Sequence, residues 1–136
     1  MRYGELIQLY FERSNSLQAY WTLYVVIIGG LLAFSSLRKQ RDFVTTALVT
    51  VLFTFFAYKN LGAIHDVTLQ RFATLDAIKQ ASSPGSDTPD TKVREALEST
   101  LKPPAYDGVR NFHIASDVLT IVALWSIERR RVRNAA

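Results

Sequence analysis

The sequence predicts an all-α integral membrane protein with three transmembrane helices and a helical extramembrane segment between the second and third. Three observations carry that prediction. Residues 19–37, AYWTLYVVIIGGLLAFSSL, are 19 positions without a charge. Residues 43–58, FVTTALVTVLFTFFAY, add 16 more, and NLGAI after Lys59 prolongs the apolar stretch to 43–64. A helix that crosses a bilayer needs about 20 mostly apolar residues, and both blocks meet that length. The third observation is charge: the link RKQRD between these blocks and the C-terminal tail are both dense in basic residues. The barely positive mean hydropathy of the whole chain reflects dilution by one long polar segment. A soluble helical bundle is the competing reading, and two adjacent uncharged blocks of this length argue against it.

The first element, residues 1–18, places Leu6, Ile7, Tyr10 and Phe11 on one face of a helix. That pattern fits an outer interfacial helix, with Ser14 or Ser16 capping the span that follows. A plain outward extension of the first span is the equal alternative. Residues 19–37 form the first span rather than a cleaved signal peptide, because the block is long and no short basic leader precedes it. Within it Gly29 and Ala33 make a small-xxx-small pair, which permits close approach of helix backbones. Residues 38–42 are a cytoplasmic turn, and residues 43–64 the second span. Its row Thr46, Thr50 and Thr54 is suited to contact with Gly29 and Ala33. Lys59 lies near the outer end, where its long stem can carry the amine toward headgroups.

Residues 65–110 hold all four prolines, Pro84, Pro89, Pro103 and Pro104. Val67, Phe72, Leu75 and Ile78 keep helical spacing, so the second span continues outward as one helix to about Ala81. SSPGSDTPD reads as a turn or loop. Asp90 then caps a helix with Val93, Ala96, Leu97 and Leu101 along one stripe. The Pro103–Pro104 pair stops it, and Asp107–Gly108 permits a reversal into the third span, residues 111–127. Residues 128–136 are a basic cytoplasmic tail.

The third span is the weakest by composition. Val118 to Ile127 gives only ten uninterrupted residues, and His113 and Asp117 stand before them. At about 100° per residue, Arg110, His113, Asp117, Thr120, Leu124 and Glu128 share one narrow sector. Ala115, Leu119, Val122 and Ser126 lie opposite. Ionisable groups in a membrane turn toward protein or water, so the polar sector is expected to face inward. Matching depth pairs Asp117 with Lys59, and Glu128 with Arg38, Lys39 or Arg41, while His113 donates to Asp117. The remaining possibilities are a proton or ion relay, a metal site, and contact with another subunit. The relay is weakened because, on this face, Thr120 alone is polar between Asp117 and Glu128. A metal would need a third ligand, for which His65 and Asp66 are the only outer candidates.

Orientation follows from basic-residue density. Arg38, Lys39, Arg41, Arg129, Arg130, Arg131 and Arg133 make seven in about 14 positions, against eight in the 64 positions of residues 1–18 and 65–110. The positive-inside rule puts the turn and tail in the cytoplasm, at anionic headgroups, and the N-terminus outside. Tyr20, Trp21, Tyr24 and Tyr58 then mark the outer interface and Trp125 the inner one. The tail is too short for a nucleic-acid surface. Cysteine is absent, which excludes disulfides and thiolate metal sites. No nucleophile elbow, phosphate-binding glycine loop or HExxH occurs.

These readings point to a multi-pass protein of the cell (inner) membrane, without catalytic, cofactor or metal residues. Its expected role is that of a small non-enzymatic subunit or scaffold. It would pack with other membrane chains, or with itself, through the third span and the outer segment, with lipid as its other partner. The alternatives are a small oligomeric ion or proton channel using His113, Asp117 and Lys59, and a membrane-acting effector.

Overall fold

A computed structural model describes residues 1–81 and 89–135. They form four helices: α1 Tyr3–Leu37, α2 Phe43–Ala81, α3 Pro89–Thr100 and α4 Tyr106–Ala135. At 1.5 Å per residue, α1, α2 and α4 are roughly 52, 58 and 45 Å long. α1 and α2 are antiparallel neighbours, and α4 packs against both.

α1 opens with the Glu5 carboxylate accepting the Arg2 backbone N–H at 2.8 Å, which satisfies a donor that a helix start leaves free. It then runs 35 residues without a break. The caps expected at Ser14 and Ser16 are absent: both hydroxyls donate one turn back, to Tyr10 O at 2.9 Å and Glu12 O at 3.0 Å. The division into an interfacial helix and a span therefore gives way to a single helix. No glycine or proline interrupts residues 5–28, and the N-terminal turns of α1 have a core of their own. In that core Leu6 and Tyr10 pack on Leu75, Ile78 and Leu101, while Phe11 stays exposed.

The turn at 38–42 ends with Asp42 capping α2. Its carboxylate accepts the Thr45 backbone N–H at 3.0 Å and the Thr45 hydroxyl, and these bonds hold its carboxyl below the usual carboxylate range. α2 continues to Ala81, as the periodicity predicts. Val67, Leu75 and Ile78 are buried, but Phe72 is not.

α3 begins at Pro89, where a missing N–H costs nothing in a first turn, so Asp90 lies inside the helix rather than before it. Most of the predicted SSPGSDTPD loop, residues 82–88, falls outside the described residues. Of the predicted apolar stripe, Leu101 is buried and Leu97 half-buried, whereas Val93 and Ala96 face out. α3 is held instead through Tyr3, whose ring lies 4.1 Å beneath the Arg94 guanidinium and whose hydroxyl donates to Glu98 at 2.9 Å. α4 starts at Tyr106, so Asp107 and Gly108 form its first turn rather than a reversal. The basic tail is helical through Ala135.

A second apolar core joins Tyr24, Phe53 and Ala57 with Trp21, Ile28, Leu31 and Ile121. Outside it, apolar residues of all three long helices are turned away from the protein. α1 and α2 are each long and apolar enough to cross a membrane, and only 11% and 22% of those stretches are buried. α4 does not reach that apolarity among the described residues, because His113, Asp117 and the run from Glu128 interrupt it.

Candidate functional site

The polar face of α4 is the face that packs on α1 and α2. His113 is 0% exposed, Thr120 5%, Leu124 1% and Glu128 1%, with Asp117 half-buried. Arg110, at the outer end of the stripe, is exposed, as are Ala115, Leu119, Val122 and Ser126 opposite. Two polar clusters stand on this face, separated by Thr120 and Leu124.

In the outer cluster, the His113 ring stacks on Tyr24 with centroids 4.2 Å apart and also contacts Trp21. His113 Nδ1 lies 2.9 Å from Asp117 Oδ2, one helical turn away. Asp117 Oδ1 accepts the Tyr24 hydroxyl at 2.7 Å. On the far side of the imidazole, Asn60 Nδ2 approaches Nε2 at 3.2 Å. With the amide donating, Nε2 is the acceptor, so Nδ1 carries the proton and donates to the carboxylate. Both ring nitrogens of His113 and both carboxylate oxygens of Asp117 are thereby used, and the group's capacity is for holding three helices in one arrangement.

The pairing of Asp117 with Lys59 is absent among the described residues. At this level of α2 it is Asn60, the next residue, that meets α4, through His113. Successive helical residues are about 100° apart, so the turn that aims Asn60 inward swings Lys59 to the exposed surface. Tyr24, read from sequence as an interfacial aromatic, is 2% exposed and belongs to the cluster. Trp21 is half-buried beside it, while Tyr58 is 74% exposed. Trp125 is half-buried and stacks on Phe43. A single amide in an apolar block was the available signal for Asn60. Nothing in the sequence distinguished Tyr24 from Tyr20.

The inner cluster is built around Glu128. Its Oε2 pairs with Arg38 at 3.3 Å and with Arg131, and accepts the Thr46 hydroxyl at 3.2 Å. Its Oε1 accepts the Asp42 backbone N–H at 2.9 Å. Arg38 also donates to Asp42 O, and Arg131 reaches Ser35 O near the C-terminal end of α1. One carboxylate thus ties together the ends of α1, α2 and α4. Arg38 and Arg131 are half-buried parts of this tie, whereas Lys39, Arg41, Arg129, Arg130 and Arg133 remain exposed. Removing a buried carboxylate's partners would leave a charge that costs several kcal/mol, and here two guanidiniums, a hydroxyl and an amide surround it.

Gly29 and Ala33 do not meet the threonine row. Both are exposed, and a Cβ added at Gly29 would meet nothing within 4 Å. Thr50 and Thr54 donate to the carbonyls of Thr46 and Thr50, each at 2.8 Å, within α2. His65 and Asp66 pair with each other at 3.2 Å and are both solvent-accessible. Among the described residues no three His, Asp or Glu side chains converge, so His113 and Asp117 are left without a third ligand. Comparison with protein-family models, curated proteins and solved structures gives no match to this chain.

Proposed function

We propose that the chain is a small, non-enzymatic, multi-pass membrane protein that serves as a subunit or scaffold for other membrane chains. In this reading α1, α2 and α4 each span the bilayer, with the N-terminus and α3 outside and the basic turn and tail in the cytoplasm. The observation that carries it is an inverted polarity. Val25, Leu52, Phe55 and Leu119 are 59–68% exposed, while His113, Thr120 and Glu128 are within 5% of full burial. A water-soluble monomer rarely shows so large an apolar surface, and lipid covers it at no cost.

α4 is the least apolar of the three spans. Its charges support the reading once they are paired, because a buried hydrogen-bonded carboxylate presents little charge to lipid. The cytoplasmic side is supported by the exposed Lys39, Arg41, Arg129, Arg130 and Arg133 at one end of the bundle. Partner contact through the polar face of α4 is not available while that face is closed on α1 and α2. The exposed Gly29–Ala33 strip and the outer helices are the surfaces left for a partner chain. A proton or ion path is less well supported, since Lys59 faces away and Leu124 separates the two clusters.

The deciding measurement is purification of the tagged chain from membranes in mild detergent, with stoichiometric mass spectrometry of whatever accompanies it. A membrane chain in fixed ratio supports the subunit reading. Recovery of the chain in the soluble fraction at alkaline pH, or as a bare monomer, overturns it.

A further inference from the structure

The α2–α4 groove on the lipid side carries a feature that helix packing does not use. Its outer part is a recess of about 680 Å³ between Lys59, Gly62, His65, Tyr106 and Arg110. Below it lies a narrower, mainly apolar cleft of about 260 Å³, walled by Phe53, Ala57, Leu61, Ile114 and Ile121. Tyr58 and Leu61 line both, so the two form one continuous seam along the helices. Asp117 also borders the cleft, but its two oxygens are taken by Tyr24 and His113.

The charges around the recess are layered. Lys59 is exposed, is the only charge in residues 43–64 and makes no ion pair among the described residues. Arg110 stands across from it on α4, 45% exposed and 3.4 Å from Asp107. Asp66 lies two turns farther out than Lys59 on α2, paired with His65, and Asp107 lies one turn farther out than Arg110 on α4. A cationic layer therefore sits at the mouth of an apolar cleft, with carboxylates beyond it. The floor at Gly62 is open, since a Cβ built there would meet nothing within 4 Å.

We propose that this groove binds one glycerophospholipid whose head carries an ammonium beyond its phosphate. The phosphate lies between Lys59 and Arg110, the ammonium faces Asp66 and Asp107, and one acyl chain occupies the Phe53–Ile121 cleft. The sequence of apolar cleft, cations and then carboxylates is complementary to acyl chain, phosphate and ammonium in that order. Arginine and lysine are the usual phosphate partners, and the tyrosines at 58 and 106 suit the headgroup boundary. The proposal rests on the membrane reading above.

The test is native mass spectrometry of the detergent-solubilised full chain, titrated with phosphatidylethanolamine, phosphatidylglycerol and diacylglycerol of identical chains, and with inorganic phosphate as competitor. One phosphatidylethanolamine is expected per chain, bound more tightly than phosphatidylglycerol, with diacylglycerol not retained. At roughly 1 kcal/mol for each basic residue, K59Q/R110Q is expected to weaken binding about thirtyfold. K59R/R110K should retain it, and D66N/D107N should abolish the preference for the amine. Gly62→Leu fills the floor while keeping every charge, and should also lose the lipid. Circular dichroism and thermal unfolding establish that each variant is folded. Equal binding by wild type and K59Q/R110Q, equal retention of diacylglycerol, or no preference for the amine would overturn the proposal. Displacement by millimolar phosphate would assign the recess to a free anion and overturn it as well. Alkaline extraction separates the two levels: a chain that leaves the membrane sinks the membrane reading, whereas one that stays but fails these arms sinks only the lipid site.

Discussion

Asn60 and Lys59 are neighbours in sequence with opposite fates, and the difference is testable by single substitutions. Asn60 is buried against His113 Nε2, so Asn60→Leu strands that nitrogen and should cost about 1–3 kcal/mol. Lys59→Leu removes an exposed charge and should stay within about 0.5 kcal/mol of wild type. Thermal unfolding in detergent distinguishes them, and the reverse order would mean that Lys59, not Asn60, faces α4. Glu128 is the other residue on which much depends. Glu128→Gln leaves Arg38 and Arg131 without their counter-charge and should destabilise the chain by about 3–5 kcal/mol. The double change with Arg131→Gln should cost less than the sum of the two single changes, as coupled residues do. Strict additivity would show that the pair is not formed. The His113–Asp117 and Glu128–Arg38 contacts were both legible as helical spacing and shared depth. Tyr24 and Asn60 were not, because which side of a helix faces a neighbour depends on where that neighbour sits.

At the scale of elements, caps and local cores decide how the helices begin and where they hold together. Asp42 starts α2, and its carboxyl is held below its ordinary value by the Thr45 hydroxyl and amide. A carboxyl whose folded value is depressed adds stability that is complete above the unfolded value, near 3.9, and fades as pH falls through the folded value. Asp42→Asn keeps a capping oxygen and should therefore flatten this acid dependence while leaving neutral-pH stability little changed. Unfolding followed between neutral and acid pH checks it, and an unchanged acid slope would assign the dependence elsewhere. The outer core offers a contrast within α2. Ile78 is 0% exposed and Phe72 38%, so Ile78→Ala should cost about 2–5 kcal/mol and Phe72→Ala much less. Helix periodicity carried α2 outward to about Ala81, yet it treated these two side chains as equals. The α1 outer turns and α3 choose which face is covered, and they choose Ile78. The continuous α1 was likewise open in sequence, since a serine can cap a helix or bond back within one.

For the whole molecule, the proposed three-span topology predicts sidedness. Single cysteines placed at Lys92 in α3 and at Asn134 in the tail should be labelled from opposite sides by an impermeant thiol reagent. The chain has no native cysteine, so the background is clean. Labelling of both from the same side would mean that α4 does not cross and that the bundle lies in the membrane differently. Gly29→Leu addresses assembly at the same scale. With open space beside Gly29, the substitution should leave the isolated fold unchanged and diminish co-purification of any helix that packs there.

The amino-acid sequence by itself determined that the chain is helical, where two apolar blocks lie, and which residues of α4 share a face. These are consequences of local periodicity and of the 20-residue scale of a span, and they need no knowledge of neighbours. The tertiary structure alone decided what that face meets. Tyr24 and Asn60 close on His113 and Asp117, Arg38 and Arg131 close on Glu128, and Gly29, Ala33 and Lys59 are turned outward. The physical reason is rotational: depth along an axis can be counted from residue numbers, whereas the azimuth of one helix relative to another is set by the packing of all three.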